Sequence, residues 1–209
     1  MILPWHVSYF EEIFALPGFF ADPVLVFGFQ DAWKPAEAAT PQSELLCHPD
    51  LNGYLRTRGL RVLTMDHFDP RADLRYDMNE PVPVSEHGQY ATLIDIGCLE
   101  HVFDTKQCLE NCLRMVRIGG HYLLHVPING YFGHGLHTFN PYGLTSALEL
   151  NGFEIVYHQF STSFGEAVPD PASGGDVLLW MVGRKVASVD RFVCPQQGGW
   201  SDMYRDQSR

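Results

Sequence analysis

The sequence predicts an α/β protein built on a doubly wound, mostly parallel sheet, and three consecutive stretches carry that prediction. Residues 91–96 (ATLIDI) form an apolar run too short for a helix, the signature of a strand buried on both faces. Between 104 and 116, Cys108, Leu109, Cys112, Leu113 and Val116 recur at spacings of three and four, one stripe of an amphipathic helix that Gly119 and Gly120 are expected to stop. Residues 121–126 then make a second buried strand, closed by Pro127. Strand, helix and strand of these lengths form a βαβ unit with parallel strands and a right-handed crossover. Ligands of such sheets sit outside the carboxyl ends of the strands, here at residues 97–101 and beyond Pro127.

A chain of 209 residues fits one domain with a full core. Its 25 acidic against 14 basic residues give a net charge of -11, which repels phosphate backbones and anionic lipid, so neither nucleic acid nor membrane is an expected partner. Arg56, Arg58 and Arg61 form the one close basic cluster of the main body and read as a solvated helix end. Five cysteines, without a CxxC pair, suggest reduced thiols rather than a disulfide framework. Glu11 and Glu12 interrupt any leader-like apolar core, and no run approaches membrane-span length, so a cytoplasmic protein is expected.

The remaining elements follow in order. Ser8 is placed to cap a short helix over 9–16, ended by Pro17 and Gly18. Residues 23–29 (PVLVFGF) read as the first strand, with Gly28 near its carboxyl end. Residues 34–41 are a Pro- and Ala-rich loop, and 43–58 carry a weak helical pattern broken by Pro49. Residues 60–65 (LRVLTM) form a second buried strand with Asp66 at its tip, where a carboxylate can accept from both hydroxyls of a ribose; Asp69 is the competing residue. After Pro127 a loop of glycines, histidines and aromatics precedes a helix over 141–150, capped by Asn140 with Pro141 at its first position. Residues 153–160 and 176–184 read as the last two strands. A domain of 1–185 and a tail of 186–209 result; Trp200 and Tyr204 could anchor that tail on the body or on a second copy in a homodimer.

The run from 91 to 127, with Leu99-Glu100-His101-Val102, then Leu113-Arg114-Met115-Val116, Gly119-Gly120 and Pro127, resembles the second half of the class I S-adenosylmethionine-dependent methyltransferases. The resemblance extends over residues 23–185 and implies a Rossmann-like, seven-stranded sheet with an antiparallel C-terminal hairpin. It implies S-adenosylmethionine as cofactor; no metal is expected, because the strong zinc signatures are absent from the sequence. Gly28 matches the first glycine of the family's glycine-rich turn, where a Cβ would collide with the cofactor; the later glycines are absent, and Phe29, Gln30, Asp31 and Ala32 stand there. Gln30 and Asp31 are candidate partners for the cofactor's amino group. By the same resemblance Asp66 and the adjacent His67 fall at the ribose, Asp77 at the adenine amino group with Met78 on the ring face, and Gly97, Cys98 and Leu99 under the methionine part. Asp73 competes with Asp77. His134 and His137, in the segment that commonly lines the acceptor pocket, are the first candidates for substrate contact or base; His101 is a third, although the Glu100-His101 pair could instead brace the pocket. A metal held by His134-x-x-His137 lacks further ligands at a selecting spacing.

These readings point to methyl transfer onto a small-molecule oxygen or nitrogen. The alternative is a catalytically silent member of the same fold acting as a binding partner, for which the reduced turn after Gly28 is the main support. A nicotinamide oxidoreductase fails on the missing GxGxxG.

Overall fold

The structure, a computed structural model, describes residues 2–32, 44–169, 171 and 175–196. The loop at 34–41 and the anchors Trp200 and Tyr204 lie outside them. Six strands, β1 (Val24–Phe27), β2 (Val62–Met65), β3 (Tyr90–Ile96), β4 (Val116–Asn129), β5 (Phe153–Thr162) and β6 (Val177–Lys185), form one sheet in the order β2-β1-β3-β4-β6-β5. The first four are parallel, and β6 runs antiparallel to both β4 and β5. The order reverses at β1, which places a switch point between the carboxyl ends of β1 and β3.

The helices are α1 (Val7–Phe14), α2 (Leu51–Thr57), α3 (Thr105–Met115) and α4 (Pro141–Leu150). Two apolar cores lie on the two sheet faces, because β1 and β3 are buried along their whole length and alternate side chains between them. Leu25, Leu93 and Leu124 join the stripe of α3, with Cys108 and Cys112 fully buried in it, while Val24, Val26, Ile94 and Leu123 pack with Phe10, Ile13 and Trp180. The capped helix predicted after Asn140 is present: its side chain accepts from Tyr142 N and Gly143 N.

Four expectations are corrected. Among the described residues the sheet has six strands rather than seven: beyond β2 the chain makes only one parallel bridge, Met65 to Leu74. The Asp73 carboxylate accepts from Thr64 N at 2.8 Å, so a side chain takes the place of a ladder carbonyl, and Pro81 and Pro83 prevent the strand from resuming. Ser8 does not cap α1, which starts at Val7 with His6 before it. Gly119 and Gly120 do not stop α3, which ends at Met115. Val116 is already extended, and Lys185 Nζ donates to Leu113 O and Val116 O, both at 2.7 Å, capping the helix end with an ammonium. Both glycines lie in β4. A Cβ on Gly120 would sit 2.7 Å from Ala91 O, so this glycine serves close strand approach. Nor does Pro127 close the second strand of the βαβ unit, since β4 continues to Asn129 with an irregular register there.

Candidate functional site

The tips of β1, β2 and β3 meet at the switch point. β1 ends in Gly28, whose φ of +72° belongs to glycine, and Gly28 N donates to Met65 O at 2.8 Å. β2 ends in Asp66, partly exposed. Its Oδ1 accepts from Phe68 N (2.8 Å) and Asp69 N (3.0 Å), and its Oδ2 accepts from Phe29 N at 3.3 Å. Asp66 therefore fixes its own turn and ties it to the turn after β1. A carboxylate has about four lone-pair sites, so Oδ2 keeps capacity for another donor. Asp69 is engaged elsewhere: Arg71 Nη2 lies 2.6 Å from its Oδ2 and holds this carboxyl down at about 2. The Arg71 guanidinium also covers the Phe29 ring at 3.6 Å and pairs with Asp31 at 3.3 Å, which draws Asp31 to the surface.

The missing second glycine has a structural consequence. The Gln30 side chain is buried, and its Nε2 donates to Ile96 O at 3.1 Å and Phe27 O at 3.4 Å; the Cys98 thiol donates to Phe27 O at 3.0 Å. An amide and a thiol thus bridge the tips of β1 and β3. A Cβ on Gly28 would stand 2.4 Å from Cys98 Sγ. Burial pushes the Cys98 thiol well above its usual range, so it stays neutral.

Along the loop after β2, Asp77 is exposed and its Oδ1 accepts from Asn79 N (2.9 Å) and Asn79 Nδ2 (2.7 Å). These bonds, foremost the backbone one, lower its carboxyl, and the nearby His67 acts in the same direction. Met78 is buried in the α3 core, and Asn111 fixes its loop by donating to Glu80 O at 2.8 Å and accepting from Val82 N at 3.2 Å.

At β3 the chain turns at Gly97 (φ +74°) into a short 3-10 helix, Leu99–His101. Asp95, fully buried, accepts from Cys98 N at 2.9 Å and from the Tyr122 hydroxyl at 3.2 Å, and burial raises its carboxyl to about 7. Glu100 is buried as well and raised to about 8, first by desolvation and then by Asp95. Its backbone carbonyl accepts from Leu136 N (2.8 Å) and His137 N (3.2 Å), which stitches the loop after β4 onto the tip of β3. That stitch brings His134 Nε2 to 3.9 Å and His101 Nε2 to 4.0 Å from Glu100 Oε1, with the two rings 5.2 Å apart. His101 is held low by partial burial and by His134. His137 is turned away, its Nε2 3.1 Å from Phe103 O.

The structure thus gathers Gly28, Phe29, Asp66, Gly97, Cys98, His101 and His134 around the strand tips. It buries Leu99 and Met78 in the core and leaves His137 outside the cluster. Sequence reasoning missed the acid pair Asp95 and Glu100 as buried groups; a carboxyl inside an apolar run, as in ATLIDI, was the available signal.

No family model matches the chain. A probable S-adenosylmethionine-dependent methyltransferase of Mycolicibacterium smegmatis is 30% identical over 134 residues, 57% of this chain and 50% of that protein. The chain therefore spans about half the length of this curated relative. Among solved structures, an S-adenosylmethionine-dependent methyltransferase of Mesorhizobium loti superposes with a TM-score of 0.54 at 13% identity, over 86% of this chain and 98% of that one. By fold the chain is similar to the S-adenosylmethionine-dependent methyltransferases. A phosphoethanolamine N-methyltransferase of Haemonchus contortus, solved with S-adenosylhomocysteine, shares this methyltransferase fold with a TM-score of 0.55 at 10% identity, over 87% of this chain and 52% of that one.

Proposed function

We infer that the protein transfers the methyl group of S-adenosylmethionine to an oxygen or nitrogen of a small-molecule acceptor. The observation that carries this reading is Asp66: a carboxylate at the tip of β2, tied through Phe29 N to the glycine turn of β1, with acceptor capacity left on Oδ2 toward a vicinal diol. The residues fit the nucleoside half of the cofactor, since Gly28 and Gly97 both take positive φ beside that carboxylate and leave the tips free of Cβ atoms. Asp66 would hold the ribose, Asp77 the adenine amino group, and the backbone at 97–99 the methionine part. When bound, the cofactor supplies an already activated methyl on a sulfonium, so the chain need only align the acceptor and manage its proton. His134 and His101, half exposed beside Glu100, would take that proton on Nε2 in the metal-free chain. The His137 ring is turned from this cluster and serves the loop through Phe103 O, while its backbone N donates to Glu100 O. The net charge of -11 favours a neutral or cationic small acceptor over a polyanion.

A second reading has its own support. Gln30 and Cys98 occupy the gap between β1 and β3, as expected of a silent fold that has closed its methionine pocket. Calorimetric titration with S-adenosylhomocysteine separates the two. The enzymatic reading expects saturable one-to-one binding that weakens in Asp66→Asn; no heat at millimolar ligand leaves the silent fold.

A further inference from the structure

We propose that Glu100, His101 and His134 form a binding site for one divalent transition-metal ion at the tip of β3, with open coordination positions toward solvent. The three donor atoms all lie within 4.8 Å of one another, and this is a carboxylate with two imidazoles, a donor set suited to Zn²⁺, Co²⁺, Mn²⁺ or Fe²⁺. Separations of 3.9 and 4.0 Å between Glu100 Oε1 and the two Nε2 atoms are too long for hydrogen bonds. They are close to what one ion requires: ligands at about 2.0–2.2 Å from a metal stand about 3–3.5 Å from each other. Rotation of two half-exposed rings, 46% and 52% exposed, closes the remainder.

An independent feature of Glu100 points the same way. Its side chain is only 2% exposed, and Oε2 is buried with no hydrogen-bond partner among the described residues. A buried carboxyl oxygen left unpaired is costly, and a cation at Oε1 and Oε2 would satisfy it. The geometry around it is also held in place. Glu100 O receives both Leu136 N and His137 N, and a Cβ on Gly135 would press to 2.8 Å from Glu100 Cγ, so the loop carrying His134 lies directly on the glutamate. Gly97 lies on the other side, where a Cβ would stand 3.1 Å from Glu100 Oε1. Tyr131 packs its ring 5.6 Å from that of His134 and narrows the cluster on one flank. The exposed flank of the two histidines is where water or an acceptor oxygen would complete the shell. The site stands on these contacts and does not depend on the methyl-transfer reading.

The test is titration of the chelator-treated full chain with Zn²⁺ by calorimetry and with Co²⁺ by visible absorption, which reports ligand-field bands of a protein-bound ion. The expected result is one ion per chain, with affinity falling at least about tenfold in His134→Ala and in His101→Ala and unchanged in His137→Ala. Glu100→Gln should behave like the histidine variants; should it fail to fold, the two exposed histidine variants decide. No saturable binding in the wild type would overturn the site, as would binding that survives His134→Ala and His101→Ala or that depends on His137. S-adenosylhomocysteine affinity measured on the same proteins is a separate readout, so loss of one ligand does not imply loss of the other.

Discussion

Replacing Asp95 with asparagine should flatten the pH dependence of folding stability between about pH 4 and pH 7. Asp95 is fully buried at the end of β3, and burial lifts its carboxyl from 3.8 to about 7, with the bonds from Cys98 N and the Tyr122 hydroxyl opposing the rise only in part. In the unfolded chain the group loses its proton near its ordinary value; in the fold it keeps that proton until about 7. The unfolded state therefore binds fewer protons across this interval. Stability falls as pH rises through it and levels off above the folded value. At about 1.4 kcal/mol for each pH unit, the fall due to this one carboxyl is at most about 4 kcal/mol. Asparagine keeps an oxygen for Cys98 N and offers an NH₂ to the Tyr122 oxygen, but does not titrate. Urea unfolding near pH 4.5 and pH 7.5 should show the wild type losing about 3 kcal/mol more than Asp95→Asn, the part of the full fall that lies in this window. Glu100 is raised in the same sense and in part by Asp95, so its own slope shrinks in Asp95→Asn and adds to the difference between the two proteins. Parallel losses in the two proteins would refute the assignment of a buried, proton-retaining Asp95.

Three further substitutions probe the frame of the site. Asp66→Asn should weaken S-adenosylhomocysteine binding by about 1.5–3 kcal/mol, roughly tenfold to a hundredfold, because charge-assisted bonds to the ribose are lost; calorimetry at constant ionic strength reads it. Asn111→Leu removes the partners of Glu80 O and Val82 N and should cost about 1–3 kcal/mol in urea unfolding, with the loop carrying Asp77 becoming more open to proteolysis. Gly120→Ala drives a Cβ to 2.7 Å from the backbone oxygen of Ala91 and should destabilise by about 1–3 kcal/mol, seen as a lowered thermal midpoint, whereas Gly119→Ala strains only a φ of +82° with nothing within 4 Å.

Much of the frame was legible because it rests on local periodicity. The stripe of α3, the Asn140 cap with Pro141 and the buried runs of β1 and β3 are short-range signals, and each lies within two residues of its expected place. What escaped depends on partners far along the chain. The end of α3 is set by Lys185, more than sixty residues away, so Gly119 and Gly120 looked like a stop signal when they belong to β4. The absent outer strand turns on one carboxylate, Asp73, taking a ladder bond. Asp66 could be placed as a strand-tip residue from its neighbours alone, but the closing of the β1–β3 gap by Gln30 required knowing where Ile96 O would point. His101 and His134 meet only because Glu100 O captures the loop after β4; sequence spacing, which paired His134 with His137, could not reveal it.

The central claim is that one carboxylate at the tip of β2 grips the nucleoside of a methyl donor at the switch point. A crystal soaked with S-adenosylhomocysteine tests it most directly. The account predicts ribose hydroxyls on Asp66 Oδ2, with the homocysteine end lying over Gly97 and facing His101 and His134. A crystal that stays empty at millimolar ligand, or a ribose bound away from Asp66, would contradict it.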